Sequence, residues 1–299
     1  MLNEASVVDG RIHKSCGGFY SVYTAGGMVE CRARGLFRRE GATPLVGDLA
    51  RVELLPDGTG SVVELLSRKN ALERPPLANL DQLLLISSTA RPRPNLRILD
   101  LLLVTAERAG MEPLLVFTKS DLQGGEPLAS LYRACGYRAC AVARNASEDA
   151  VEEIRGRLAG KISALCGNTG VGKSTLLNRI DPSLALPTGE ISEKLGRGRH
   201  TTRHVELFSL AGGWVADTPG FSSLEAKARD LPQKEELAAA FREFAPYLDD
   251  CRFRDCAHIS ERGCRVLRAV EDGEIPKSRH ESYVALWITL NEQKPWEKS

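Results

Sequence analysis

The 299-residue sequence has no excess of charge of either sign and no long apolar run. Its 40 Lys and Arg residues balance 39 Asp and Glu residues, and the resulting net charge of +1 argues against a uniformly basic coat for nucleic acid. No stretch reaches the roughly 18 consecutive apolar residues of a membrane span, and the amino-terminal segment contains no apolar signal region. We therefore expect a cytoplasmic protein that does not enter a membrane.

The eight cysteines come without a secretory signal, which favours metal ligands or buried thiols over a disulfide framework. The composition, 42% hydrophobic and 26% charged, is that of a globular protein. A chain of this length usually forms two or three cores. Disorder and a coiled coil do not fit these values.

The pattern of the sequence changes twice along the chain. Short β-prone runs before about residue 70, separated by turn signals such as Asp57-Gly58, indicate a small β-barrel. Arg74-Pro75-Pro76 predicts a linker, and the following apolar runs alternate with helical stretches in the βαβ pattern of a parallel sheet. Helices are predicted at 96–109, 150–158, 235–247 and 279–290. The predicted domains are a barrel over 1–72, an α/β domain over 73–222 and a mostly helical module over 223–299.

The strongest local motif is a P-loop. Gly167-Asn168-Thr169-Gly170-Val171-Gly172-Lys173-Ser174 matches G-x-x-x-x-G-K-S/T and directly follows an apolar, strand-like run. Its glycines let main-chain amides surround phosphates, while Lys173 can reach the β- and γ-phosphates and Ser174 can ligate Mg²⁺. Thr175, the residue after Ser174, is also predicted to contact the nucleotide. The alternative is an ordinary glycine-rich turn, which the spacing and the flanking strand and helix disfavour.

Two further motifs beside the P-loop together indicate a GTPase. Thr118-Lys119-Ser120-Asp121 resembles the base-reading element N/T-K-x-D, in which the carboxylate accepts hydrogen bonds from guanine N1 and N2 and the lysine stem packs along the base. Asp217-Thr218-Pro219-Gly220 fits the Walker B and switch position, where Asp217 holds Mg²⁺ through water and the Gly220 amide senses the γ-phosphate. A strand-end turn rich in Thr, Lys, Ser and Asp is common, so the first motif is informative only beside the P-loop.

A Cys/His cluster lies near the carboxy terminus. Cys251, Cys256, His258 and Cys264 supply three thiolates and one imidazole within a short polar stretch. Four nitrogen and sulfur ligands suit tetrahedral Zn²⁺, and a complete protein shell leaves no open position for catalysis. The sequence therefore predicts one structural zinc ion. The other cysteines lack such grouping and are predicted to be packing residues.

The order of the motifs is unusual, because the base reader precedes the P-loop and the Asp217 motif follows it. Circular permutation produces this order when the termini of a fold lie close together. The sequence here resembles the circularly permuted GTPases, specifically the ribosome small-subunit-dependent GTPase family known as RsgA, YjeQ or YloQ. Further matching segments are Gly10-Arg11, Val46-Gly47-Asp48, residues 68–75 and all four residues of the Cys/His cluster.

The resemblance implies a multidomain α/β protein with an amino-terminal OB-fold barrel, a central permuted P-loop GTPase domain with a mainly parallel sheet, and a carboxy-terminal helical zinc module. It also implies a monomer that hydrolyses GTP to GDP with Mg²⁺. The implied role is in late maturation or a checkpoint of the small (30S) ribosomal subunit, whose rRNA and protein the chain contacts and which stimulates hydrolysis. Arginines at 32, 34, 38 and 39, and at 252, 254, 262, 265 and 268, are candidate phosphate contacts.

The catalytic residues expected from the resemblance are Lys173 and His200. Phe221 stands where many GTPases carry the glutamine that orients the attacking water, and an aromatic ring cannot hydrogen-bond that water. Gly198-Arg199-His200-Thr201-Thr202 resembles the family's first switch, in which the histidine is implicated in hydrolysis. Thr201 or Thr202 is the switch threonine that binds Mg²⁺. The alternative for His200 is a surface histidine in a basic loop.

Three other functions remain open from the residues. A P-loop kinase would transfer phosphate to a small metabolite, although the base-reading motif and Asp217 motif disfavour it. A nucleic-acid-binding module would use its P-loop only to sense nucleotide. A permuted GTPase of large-subunit assembly is disfavoured by the barrel and the zinc cluster.

Overall fold

The computed structural model describes residues 6–34, 37, 43–73, 75–186, 205–217 and 232–292. Five strands close into the barrel expected from the sequence, in the order β1-β2-β3-β5-β4. These strands are β1 (Val7–Cys16), β2 (Phe19–Thr24), β3 (Gly27–Ala33), β4 (Leu49–Leu54) and β5 (Gly60–Leu65). Alternate side chains fill the interior, with Ile12, Val22, Val52 and Val62 fully buried.

Strand β1 contains a β-bulge. Ile12 pairs with Val22 and Lys14 pairs with Ser21, so His13 is the extra residue between two paired positions. A bulge redirects the side chain of the extra residue away from the regular alternation. Ile12 accordingly fills the barrel core, while His13 lies against residues outside it.

The segment after the barrel is more regular than the prolines predicted. Strands β6 (Ala71–Glu73) and β7 (Pro76–Ala78) form a two-stranded antiparallel sheet where the sequence indicated a plain linker. Proline is tolerated here because it occupies the first position of a short strand. The predicted linker is therefore a small hairpin.

Buried polar contacts explain two of the matching segments. The carboxylate of Asp48 is fully buried and accepts two hydrogen bonds from the Arg68 guanidinium, both 2.7 Å long. Gly47 has a φ of 98°, and a Cβ at this position would overlap the carbonyl oxygen of Ala78. Only glycine therefore fits beside β7, and Arg68 ties the segment after the barrel to the turn before β4.

Six further strands form the mainly parallel central sheet. They are β8 (Gln82–Ser88), β9 (Glu112–Thr118), β10 (Arg138–Val142), β11 (Ile162–Cys166), β12 (Leu207–Leu210) and β13 (Gly213–Asp217). The helices are α1 (Leu96–Arg108), α2 (Glu126–Ala134), α3 (Glu148–Leu158) and α4 (Lys173–Ile180). The predicted helices at 96–109 and 150–158 correspond to α1 and α3, whereas α2 was not predicted from the sequence. Helix α1 begins where the Asn95 side chain accepts a hydrogen bond from the Ile98 amide.

The chain divides into two compact units. The first consists of residues 1–82, 148–166 and 177–222 and contains the barrel, helix α3 and the strands β11, β13 and β12. Within it β11 and β13 run parallel, and β12 joins β13 as an antiparallel hairpin. The second unit consists of residues 83–147, 167–176 and 223–299 and contains the parallel pair β9 and β10, helices α1 and α2, the P-loop and the carboxy-terminal module.

The carboxy-terminal module is helical, but the segment predicted as a helix at 235–247 does not form one continuous α-helix. This segment forms 3₁₀ turns at Lys234–Glu236, Ala238–Ala240 and Arg242–Asp250. Phe241 adopts an extended backbone that interrupts the segment, and Pro246 has no amide hydrogen for an α-helical bond. The Phe241 and Phe244 rings, 5.2 Å apart, face the module's core.

The remaining helices of the module are α5 (Arg265–Glu271) and α6 (Lys277–Glu292). Helix α6 contains the predicted stretch 279–290. Its Tyr283 packs edge-on against the Phe241 ring at 5.3 Å and completes the aromatic core. Among the described residues, no helix is long and apolar enough to span a bilayer.

Candidate nucleotide-binding and metal sites

The P-loop connects the buried strand β11 to helix α4. Gly170 and Gly172 have φ angles of 78° and 95°, a left-handed conformation that other residues adopt only with strain. A Cβ on Gly167 would overlap the Ile86 carbonyl oxygen, so glycine is also required where the loop leaves the strand. A glycine-rich turn between a strand and a helix amino terminus is a ready anion site.

Lys173 and Ser174 begin helix α4. The Lys173 ammonium group donates hydrogen bonds to the carbonyl oxygens of Gly167, at 2.6 Å, and Asn168, at 2.8 Å. These bonds hold the cation at the loop itself. Ser174 is buried in the first turn of the helix. A fixed ammonium group and a hydroxyl on the same turn are the groups that bind phosphate and a hard divalent cation.

The base-reading motif lies against the P-loop. Thr118 ends β9, and its single hydroxyl donor lies within hydrogen-bonding distance of two carbonyl oxygens, those of Ser87, at 3.2 Å, and Val171. Lys119 has a left-handed φ of 59°, and its ammonium group donates to the Gly170 carbonyl oxygen at 2.7 Å. Two motifs about fifty residues apart in sequence therefore form one site within the second unit.

Asp121 makes a contact that the sequence did not predict. Its Oδ1 accepts a hydrogen bond of 2.9 Å from the main-chain amide of Arg144, in the loop that follows β10. Ala146 donates its amide to the Ala143 carbonyl oxygen at 3.1 Å, which closes that loop into a turn. The loop lacks the small Ser-Ala pair that is usual in the corresponding loop of GTPases, so its residues were not among the predicted site residues. Its position directly after a parallel strand was the only signal.

Asp217 is the last residue of β13, and its backbone pairs with Leu165 of β11, two residues before the P-loop in sequence. The register thus aligns the predicted Walker B strand with the strand that leads into the P-loop. The Asp217 side chain and the predicted switch residues His200, Thr201, Thr202 and Gly220 lie outside the described residues.

The four predicted metal ligands converge. The ligand atoms of Cys251, Cys256, His258 and Cys264 all lie within 4.8 Å of one another. Sγ of Cys251 lies 3.9 Å from Sγ of Cys264, and His258 Nδ1 lies 3.6 Å and 3.4 Å from these two sulfurs. Ligand bonds of ~2.3 Å for sulfur and ~2.0 Å for nitrogen place tetrahedral neighbours ~3.5–3.8 Å apart around zinc. The spacing of the donors therefore fits a tetrahedral Zn²⁺ site.

Neighbouring groups support the metal-binding form of this cluster. The amides of Arg265 and Leu267 donate to Sγ of Cys251 and Cys264, both at 3.4 Å, and such bonds stabilise thiolates. Burial lowers the pKa of His258, which keeps the imidazole neutral and able to ligate a metal. The donor set and its neighbouring groups are therefore compatible with a bound zinc ion.

Comparison with known proteins agrees with these motifs. The family model described as RsgA GTPase matches residues 65–227, and that of the RsgA N-terminal domain matches residues 9–62. The small ribosomal subunit biogenesis GTPase RsgA of Caldanaerobacter subterraneus is 45% identical over 96% of this chain and 97% of its own. The protein of the same name from Geobacillus kaustophilus is 42% identical, over 97% of this chain and 99% of its own.

Two solved structures share the fold. YloQ, described as a circularly permuted GTPase, has a TM-score of 0.79 and 34% identity, covering 99% of both chains. YjeQ from Thermotoga maritima has a TM-score of 0.81 and 32% identity, covering 97% of this chain and 100% of its own. The resemblance and the multidomain fold with a permuted GTPase domain are confirmed. The chain belongs to the RsgA GTPase family.

Proposed function

We propose that this protein is a Mg²⁺-dependent GTP hydrolase that acts in maturation of the small ribosomal subunit. The observation that carries the proposal is the contact of Lys119 with the P-loop at Gly170, which joins the base-reading and phosphate-binding motifs. The relatives named as small ribosomal subunit biogenesis GTPases support the biological role. We further propose that the protein is a cytoplasmic monomer with the domains 1–72, 73–222 and 223–299.

Different residues are proposed to contact the phosphates, the base and Mg²⁺. Lys173 and the P-loop amides stabilise the negative charge that develops on the phosphates during in-line attack of water. Asp121 accepts hydrogen bonds from guanine, and Lys119 packs along the base. Ser174, Asp217 and Thr201 or Thr202 are the proposed oxygen ligands of Mg²⁺, Asp217 acting through water; this donor set suits a hard cation. When bound, Mg²⁺ supplies further neutralisation of phosphate charge.

The decisive experiment measures phosphate release from GTP and from ATP, by the protein alone and with purified small or large ribosomal subunits. We expect slow release from GTP alone, strong stimulation by the small subunit only, and no release from ATP. Stimulation by the large subunit instead would assign the protein to large-subunit assembly. Phosphate transferred to an acceptor would indicate a kinase, and no turnover under any condition would indicate a nucleotide sensor.

His200 is the proposed water-positioning residue, since Phe221 cannot hydrogen-bond water at the usual glutamine position. We expect His200→Ala to lower subunit-stimulated turnover by ~10²-fold, the usual contribution of such a group, while GTP affinity stays within about twofold. Single-turnover hydrolysis and equilibrium binding of a GTP analogue measure the two quantities. Wild-type turnover in the variant would remove His200 from the mechanism.

Two exposed surfaces suit contacts with rRNA. In the metal-binding loop, Phe253 is 46% exposed between Arg252 and Arg254, and the Arg252 guanidinium lies 5.5 Å from its ring centroid. On the barrel, the Arg32 guanidinium lies 4.5 Å from the exposed Phe19 ring. Aromatic rings stack on unpaired bases and guanidinium groups bind phosphates. Both surfaces support the proposed ribosomal partner.

We expect about one zinc ion per chain in protein purified without chelator, held by the cluster that begins at Cys251. Cys256→Ser should lower the zinc content to well below stoichiometric, because a hydroxyl is a poor zinc ligand. Cys16→Ser is the matched control, since Cys16 is exposed and outside the cluster, and its zinc content should equal that of wild type. Elemental analysis decides the matter, and wild-type protein without stoichiometric zinc would contradict the assignment.

A further inference from the structure

The bulge in barrel strand β1 places a buried histidine against the strand that ends at Asp217. The His13 side chain is 3% exposed, and its ring packs edge-on against the Trp214 ring with centroids 4.0 Å apart. Tyr23 of the barrel completes the group, 5.4 Å from His13 and 5.8 Å from Trp214. Trp214 lies on β13, three residues before Asp217. A barrel residue therefore contacts the predicted Walker B strand directly.

The same stretch of β1 also contacts the other strand of the hairpin. Lys14 forms an isolated antiparallel bridge with Glu206, the residue before β12. The Lys14 ammonium group lies 2.8 Å from the Glu206 carboxylate. Because β12 follows residues 201–204 and β13 precedes residues 218–220, the two ends of this hairpin lead into the two predicted switches. Strand β1 thus contacts the β12–β13 hairpin and the residue before it through a main-chain bridge, an ion pair and an aromatic contact.

Packing alone does not account for a histidine at this position. His13 Nε2 is buried without a hydrogen-bond partner in the described part of the chain, and an unpartnered buried polar atom costs about 1–3 kcal/mol. An apolar ring would fill the same space without that cost. Burial lowers the pKa of His13 to about 4, so the ring contact is between neutral groups at neutral pH. Its edge-on geometry fixes the orientation of Trp214.

We propose that His13 and Trp214 are positioning residues, which hold β13 so that Asp217 is correctly placed for the Mg²⁺ that accompanies GTP. The inference rests on the proposed function, in which Asp217 helps to bind Mg²⁺. The main-chain register already aligns β13 with β11, at Trp214 with Ile162 and at Asp217 with Leu165. The contact between the His13 and Trp214 rings additionally holds β13 against barrel strand β1. Groups that orient a metal ligand affect metal affinity without touching the metal.

The test compares Trp214→Leu, His13→Ala and the double variant. The Mg²⁺ concentration for half-maximal GTP hydrolysis with small subunits should rise about tenfold in each single variant, within the range measured for groups that orient ligands. The double variant should be no worse than Trp214→Leu, because both changes remove one contact. GDP affinity without Mg²⁺ should stay within twofold. Mg²⁺-dependent binding of a fluorescent, non-hydrolysable GTP analogue should show the same tenfold shift and does not require turnover.

Val52→Ala is the matched control for loss of barrel stability. Val52 is fully buried in the barrel and lies on β4, so the change should lower the melting temperature and leave the Mg²⁺ dependence unchanged. The Lys14 contact provides a rescue. Lys14→Glu should raise the Mg²⁺ requirement about twofold, and Lys14→Glu combined with Glu206→Lys should restore it, since an exposed ion pair contributes little.

The outcomes separate the two proposals. Wild-type protein that does not hydrolyse GTP refutes the proposed function, and the inference is then decided by analogue binding. Normal hydrolysis with unchanged Mg²⁺ dependence in Trp214→Leu overturns the inference and leaves the proposed function intact. An equal shift in the Val52→Ala control also overturns it, because the effect would then follow barrel stability.

Discussion

Asp121→Asn is expected to change the preferred base from guanine to xanthine. Guanine presents two donors, at N1 and N2, to the carboxylate, whereas xanthine carries a carbonyl oxygen in place of the amino group at C2. The asparagine amide loses one acceptor and gains a donor, which suits xanthine. Two mismatched hydrogen bonds, one to a charged group, cost about 3–5 kcal/mol. The ratio of GTP to XTP affinities should therefore fall by about 10²- to 10⁴-fold.

The contact with Arg144 decides how the new side chain is oriented. The Arg144 amide is a donor at 2.9 Å from Oδ1, so the asparagine must keep its oxygen on that side. The amide nitrogen then occupies the other position of the former carboxylate and faces the base. Without this neighbouring donor, the amide could rotate and present its oxygen again. The exchange of specificity thus depends on a main-chain group in the loop after β10.

Competition binding of GTP, XTP and ATP measures the change, followed by phosphate release with small subunits. Asp121→Ala is the control, because it removes recognition of guanine without creating recognition of xanthine. A variant Asp121→Asn that still prefers GTP would show that Asp121 does not read the base. An equal loss of affinity for GTP and XTP in Asp121→Asn would show that the Arg144 main-chain amide does not orient the asparagine side chain.

The sequence predicted elements whose signals are local. Strand β11 (Ile162–Cys166) forms where the apolar run before the P-loop predicted a strand, because such a run followed by a P-loop allows few alternatives. The metal ligands converge as predicted, since four of them lie within one short loop region whose closure requires little chain ordering. The barrel was predicted from its evenly spaced turns, although neither its closure nor its strand order can be read from local patterns.

Contacts between distant residues were not predictable. The hydrogen bond to Asp121 comes from the main-chain amide of Arg144, a group that nearly every residue type has, so the sequence does not predict it. The bulge at His13 depends on pairing with β2, and its contact with Trp214 joins residues about two hundred positions apart. The segment 235–247 was predicted as a helix, but it forms consecutive 3₁₀ turns in which Phe241 and Phe244 pack into the core of the module. Tertiary packing decides such cases.

Arg279→Met is expected to cause the largest loss of stability. The Arg279 side chain is completely buried and lies between two buried carboxylates. Its Nε donates to Glu243 at 2.6 Å, and one terminal nitrogen donates to Asp100, also at 2.6 Å. Burial lowers the pKa of Arg279, but attraction to Asp100 and Glu243 outweighs it and raises that pKa well above its ordinary value. The guanidinium therefore stays charged.

The network links helix α6 to helix α1. Asp100 lies on α1, and its Oδ1 also accepts a hydrogen bond of 2.9 Å from the Tyr132 hydroxyl, while Oδ2 has no partner among the described residues. The Phe241 ring lies 4.6 Å from the guanidinium carbon and excludes water from one side. Removing Arg279 leaves two buried negative charges without a cation. Loss of one member of a buried ion pair costs about 3–5 kcal/mol.

Thermal unfolding of the zinc-loaded protein measures this loss. A domain of this size loses about 2–4 °C per kcal/mol, so the melting temperature should fall by roughly 10 °C. Arg268→Met is the matched control, because Arg268 of α5 forms an exposed ion pair with Asp272, the residue after that helix. The free energy of unfolding of Arg268→Met should fall by less than about 0.5 kcal/mol. A fall in Arg279→Met no larger than in Arg268→Met would show that the buried network contributes nothing.

The triple variant Arg279→Met, Asp100→Asn, Glu243→Met distinguishes stranded charge from lost packing. If the cost of Arg279→Met comes from two unpaired carboxylates, removing their charge should recover at least half of the lost melting temperature, because apolar replacement of a buried ion network is often neutral. Asn at position 100 can still accept the Tyr132 hydroxyl. If the cost comes from the space left by the guanidinium, the additional substitutions should lower the melting temperature further. The network would then act by filling the core between α1 and α6.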